Sequence, residues 1–300
     1  MIKKGSKLGA YIGIIFVNIM WGLSFIGSKK AMAAGLTPFT LMLLRFGISV
    51  IVLLPCAIIK KESLRLKLRD VPLVLLTALT GITVYFWFEL NGLKCLSAST
   101  ASLIIAAIPV LTMIAHAVFF KSRQPLINWL GALISIAGVY LVVTSDDSGD
   151  TLQGALMIFG ACICWVAYIE LTGIALRRCS SLSLTLWQSI FACITILPFV
   201  PGEGVVLSEI SLEGMLWACG FLGLICSALC YILYNYAIKQ LDAVRTAIFL
   251  NLNPLSTVVG GVLLLDESIR TVQVIGGIMI LAGLFSVSRG SKSNESEVGS

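Results

Sequence analysis

The chain has 300 residues, 58% of them hydrophobic and only 12% charged, and its mean hydropathy is +1.00. Soluble domains carry about 25% charge, so this composition excludes a water-covered globule and implies a chain embedded in lipid. The formal net charge of +6 is not gathered into a basic stripe with interleaved aromatics, which argues against a nucleic-acid surface, and the 9 cysteines form no CxxC pair and lie mostly in apolar runs, where thiols act as small hydrophobes.

Ten apolar runs follow one another, separated by short polar gaps. The first five are Leu8–Ser28, Leu36–Ile59, Val71–Leu93, Leu96–Phe120 and Pro125–Ser145. The second five are Leu152–Leu176, Leu182–Pro201, Gly214–Ile238, Ala243–Leu265 and Thr271–Ser288. A bilayer takes about 20 helical residues, and membrane strands are far shorter and alternate in polarity. The runs therefore predict an all-α integral membrane protein with ten transmembrane helices. Lys3, Lys4 and Lys7 precede the first run as in a leader peptide, but no small-residue cleavage site follows, so the run reads as the first helix.

Charge fixes the expected orientation. With the N-terminus inside, 16 of the 21 Lys and Arg fall in inside segments, only Lys29, Lys30, Lys94 and Arg270 fall outside, and Arg45 lies within a helix. Both termini are thus expected in the cytoplasm. The polar tail, residues 290–300, is expected to be disordered.

The sequence also repeats itself. At an offset of 145 residues, Lys94, Leu96, Ala98, Pro109, Gly131, Ala137 and Gly138 match Lys239, Leu241, Ala243, Pro254, Gly276, Ala282 and Gly283. Trp21 matches Trp165 at an offset one shorter. Each unit holds an odd number of spans, so the second, 150–289, is expected to be inverted relative to the first, 1–149. Inverted repeats around a midplane site are a transporter architecture.

Asn18-x-x-Trp21-Gly22-x-Ser24 in the first helix, Arg45-Phe46 in the second and prolines in the fourth and ninth resemble the drug/metabolite transporter superfamily, and its EamA-type branch in particular. The resemblance covers the chain apart from its tail. It implies a central cavity formed largely by helices one, three, four, six, eight and nine, and substrates drawn from amino acids, amines, nucleotide sugars, triose phosphates and other small metabolites. The second half departs from the first: Gln188 stands where Arg45 would repeat, and Val166 follows Trp165 where Gly22 follows Trp21.

Ionisable groups inside a membrane are costly and point to function. Four qualify: Arg45 and Glu89 in the outer parts of helices two and three, and His116 and Glu170 nearer the inner ends of helices four and six. Arg45 and Glu89 either pair across their hairpin or bind the charged ends of a substrate, with Tyr85 and its aromatic neighbours offering a cation–π wall. Glu170 reads equally as a structural carboxylate or as the carrier of a coupling proton. Trp21 and Trp165 sit mid-helix, suited to packing or to lining a cavity. Pro109 and Pro254 each remove a backbone donor and predict a bend; Asn251 and Asn253 beside the second, with Asn18, are candidates for orienting a polar ligand. Gly5, Gly9 and Gly13 have the spacing that lets helices approach closely.

No phosphate loop, cofactor motif or metal-ligand cluster is present in the sequence. The expectation is a secondary transporter of a small organic metabolite, an exporter of amino acids or amines working by alternating access in the inner (plasma) membrane, as a monomer or homodimer. A lipid-linked sugar flippase on the same fold is the alternative. An intramembrane enzyme has less support, since HExxH, GxSxG and paired mid-helix aspartates are all lacking.

Overall fold

A computed structural model describes residues 7–119, 125–144, 151–204, 210–241, 246–247, 249–267 and 269–283. All regular structure among them is helical. In chain order the helices are α1 (Lys7–Ala33), α2 (Pro38–Ile59), α3 (Leu68–Leu93), α4 (Ala98–Phe119) and α5 (Leu126–Thr144). They continue as α6 (Leu152–Ala175), α7 (Ser181–Glu203), α8 (Leu212–Leu241), α9 (Asn253–Leu265) and α10 (Thr271–Gly283).

Seven of these, α1 to α4 and α6 to α8, are long and apolar enough to cross a membrane. Among the described residues the other apolar stretches, Leu126–Gly138, Asn253–Leu265 and Thr271–Gly283, are shorter. In α9 the shortening has a visible cause, because a separate 3-10 turn, Phe249–Leu252, precedes it. Gly5, the junction expected at 149/150 and the tail 290–300 lie outside the described residues.

Helix starts follow local chemistry. Ser97, Thr151, Ser180 and Ser211 each accept a hydrogen bond from a first-turn amide, capping α4, α6, α7 and α8. Two helices borrow a cap from the other half of the chain. Glu203, at the end of α7, accepts from the Phe39 and Thr40 amides (3.1 and 3.0 Å) and from the Thr37 hydroxyl at the start of α2. Glu267, just after α9, accepts from the Ala98 and Ser99 amides (2.8 and 3.2 Å) at the start of α4. A carboxylate at a helix N-terminus meets unpaired N–H groups and the positive end of the dipole. Asp266, at φ 53°, ends α9 in a left-handed turn and brings Glu267 round to that position.

The two halves interleave. α1 packs on α8 and α9, α2 on α7 and α8, α3 on α6 and α7, and α4 on α6 and α9. This set of pairings is unchanged when every helix is replaced by the one five places along. α5 and α10 meet through glycines: a Cβ on Gly138 would lie 2.6 Å from the Gly276 carbonyl oxygen, and one on Gly283 would lie 2.2 Å from that of Gly131. These four residues are the repeat-matched glycines. Large apolar side chains such as Ile12, Ile58, Leu133, Leu263 and Ile278 face outward, as a lipid-solvated surface requires.

A closed aromatic cavity between the halves

The polar groups that the sequence singles out converge where α1, α2, α3, α4, α6, α8 and α9 meet. Trp21, Arg45, Tyr85, Glu89, Trp165 and Asn253 line one cavity, together with Ser24, Phe25, Phe86, Ile105, Ile108, Tyr231 and Leu250. Its free volume is about 20 Å³, room for about one water molecule. The cavity is therefore largely filled by its own side chains.

Its wall is aromatic and tightly joined. Trp21 and Trp165 meet edge to face with ring centroids 5.2 Å apart, Tyr85 lies 4.8 Å from Trp165, and Tyr231 lies 5.4 Å from Trp21. On α3 the four consecutive aromatics divide by helical direction. Tyr85 and Phe86 are buried in the cavity, while Trp87 and Phe88 turn out, Trp87 to 37% exposure and Phe88 against Gly160 of α6.

Arg45 is 1% exposed. Its Nε donates to the Ser227 hydroxyl at 2.9 Å, and its guanidinium carbon stands 4.1 Å from the centre of the Phe86 ring. A desolvated cation–π contact contributes about 2 kcal/mol, whereas burying an ion costs several. Cation–π attraction plus one hydrogen bond leaves the charge undercompensated, and Nη1 has no hydrogen-bond partner. Glu89 is 2% exposed with Oε1 likewise unpartnered, and the Asn253 Oδ1 atom is a second open acceptor on the same cavity.

Arg45 and Glu89 do not form an ion pair within 4.0 Å. The hairpin-staple reading is thereby corrected: α2 packs mainly on α7 and α8, so Arg45 spends its Nε on α8 and its ring contact on Phe86. Both side chains are left lining one shared cavity.

Both prolines stand beside interruptions of their helices. α4 is interrupted between Ile105 and Ile108, and Pro109 is the second residue of the piece that resumes. Pro254 is likewise the second residue of α9, after the turn Phe249–Leu252. Proline lacks an N–H and is tolerated in a first helical turn, where that donor would be unpaired anyway. Each proline therefore stands in the first turn of a helical piece that follows a break, beside the cavity.

Two candidates lie apart from this lining. Asn18 is buried on α1, its amide donating to the Ile14 carbonyl at 2.6 Å and its Oδ1 unpartnered. Glu170 is half-buried on α6. The side chains of Asn251 and His116 lie outside the described residues. Tyr231 escaped the sequence reading, although the repeat carried the signal, since it stands 145 residues after Phe86.

The sequence profile of the EamA-like transporter family matches residues 8–144 and 152–289. An uncharacterized transporter of Archaeoglobus fulgidus is 28% identical over 93% of this chain and 98% of its own length. The uncharacterized transporter YyaM of Bacillus subtilis is 27% identical over 94% of each. A probable terminal-alkyne amino-acid exporter of Streptantibioticus cattleyicolor is 24% identical over 75% of each. A solved crystal structure shares the fold with a TM-score of 0.69 and 17% identity, covering 95% of this chain and 98% of that one.

Proposed function

The chain belongs to the EamA-like transporter family, and from that premise we propose that it exports a small amino acid or amine by alternating access. The observation that carries this reading is the pairing of open charges in one cavity. Arg45 Nη1 and Glu89 Oε1 are buried, unpartnered and set among aromatic walls. A zwitterion supplies what each lacks: a carboxylate for the guanidinium and an ammonium for the carboxylate. Trp21, Tyr85, Phe86, Trp165 and Tyr231 then offer an apolar and cation–π surface to the rest of the ligand.

The small free volume supports a carrier rather than an open channel. Inversion of two five-helix halves, 1–149 and 150–289, is supported by the 145-residue register and by helix pairings that survive exchange of the halves. In this reading the termini face the cytoplasm across a bacterial inner (plasma) membrane, the chain acts as a monomer or homodimer, and Glu203 and Glu267 fasten the outer side. Energy comes from an ion gradient or exchange, with Glu89 or Glu170 available to a coupling proton.

The test is efflux from proteoliposomes loaded with a mixture of amino acids and amines, with and without a pH gradient. Loss of a zwitterionic or cationic class is expected. Retention of the whole pool, together with inversion of a fluorescent phospholipid, overturns the reading in favour of a lipid flippase.

A further inference from the structure

α3 and α8 share a backbone irregularity. Residues Leu79–Thr83 of α3 and Leu216–Leu229 of α8 are wound as π-helix, and the repeat offset of 145 carries the first segment into the second. Such segments are rare and often functional, because they leave carbonyls free for other donors. Here the same carbonyl is used in both halves. The Gly81 oxygen accepts from the Tyr231 hydroxyl at 2.9 Å, and the Cys226 oxygen, 145 residues on, accepts from Trp21 Nε1 at 3.0 Å.

The donors are not repeat equivalents. The equivalent of Tyr231 is Phe86, which has no hydroxyl, and the equivalent of Trp21 is Trp165, whose Nε1 makes only a long contact of 3.4 Å with the Tyr234 hydroxyl. Exchanging the roles of the halves gives the mirror state. There Trp165 would serve the Gly81 oxygen, and the Cys226 oxygen would fall to Phe86, which cannot donate. The observed state holds two of these bonds and its mirror only one.

We infer that Tyr231 and Phe86 are positioning residues whose mismatch biases the carrier toward the observed state. This rests on the alternating-access reading above. One neutral hydrogen bond weighs about five-fold in an equilibrium constant. The biased state is fastened on the side where α1 and α3 end, by Glu203 and Glu267. In the registers that pair Arg45 with Gln188 and Lys94 with Lys239, Glu203 and Glu267 match Lys60 and Ser122, neither of them an acid. Moving to the mirror state therefore releases the Phe39, Thr40, Ala98 and Ser99 amides.

Hydrogen–deuterium exchange of the full chain in lipid vesicles reads those amides without a known substrate. Phe86→Tyr adds a donor for the mirror state and removes nothing from the observed one, yet it should raise exchange there about five-fold. Tyr231→Phe should do the same, and the double variant should reverse the bias. Adding Trp165→Phe to Tyr231→Phe removes the mirror state's remaining donor and should restore protection, whereas a purely structural role would make it worse. Unchanged or slower exchange in Phe86→Tyr overturns the inference; should that variant not fold, failure of Trp165→Phe to restore protection does so. Changed exchange with no transport of any solute would count against the transport reading alone. Unchanged exchange with transport intact would count against the bias alone.

Discussion

Glu89→Gln separates binding chemistry from packing. The amide matches the carboxylate in shape, so the rings around it, Tyr85 and Phe86 among them, keep their places. What disappears is a carboxyl group that is 2% exposed and whose Oε1 has no hydrogen-bond partner. A hydrogen bond to a charged group contributes about 1.5–3 kcal/mol, which converts to about a ten- to 150-fold loss of affinity for an ammonium-bearing ligand. Folding should not suffer, because burying a neutral amide costs less than burying an ion. The assay pairs amino-acid uptake into proteoliposomes with thermal unfolding in detergent. Transport should fall by at least ten-fold while the melting temperature holds or rises. Wild-type transport would remove Glu89 from the site, and a large fall in melting temperature would make it a structural residue.

Further outcomes follow from the same geometry. Gly283→Ala places a Cβ 2.2 Å from the Gly131 backbone oxygen and should destabilise by about 1–3 kcal/mol, read as a lower melting temperature. Gly47→Ala, in α2 with open space around the new methyl, should instead stabilise by about 0.5–1 kcal/mol in the same scan. Glu267→Ala strips the α4 amides of their carboxylate and should cost about 1–2 kcal/mol, with faster amide exchange at Ala98 and Ser99. Asp70→Asn loses the pair with Arg178, whose side chain is 49% exposed, and should shift stability by less than about 1 kcal/mol; a drop of several would show a buried network there.

How much of this was legible in the sequence depended on the kind of signal. Apolar length gave the helices and their order, because lipid demands continuous apolar runs. Polarity inside the apolar runs marked Arg45, Glu89 and Asn253, since such residues seldom occur there without use. The separation of Arg45 from Glu89 was not legible: it depends on which neighbour helix captures the guanidinium, and Ser227 is 182 residues away. Nor were the π-wound segments, which leave no distinctive periodicity. Pro109 and Pro254 stand at breaks in their helices, because a residue without an N–H suits a first helical turn. Tyr231 was readable in principle, because the register that pairs Lys94 with Lys239 also pairs Phe86 with Tyr231. The cavity's closure to about 20 Å³ belongs to packing among distant helices and had no local signature.

The most direct test is a structure of the protein bound to a compound it transports. The account predicts the ligand's carboxylate at Arg45 Nη1, its ammonium at Glu89 Oε1, and its apolar part against Trp21 and Trp165. A ligand bound elsewhere, with Arg45 and Glu89 still facing a closed cavity, would contradict it.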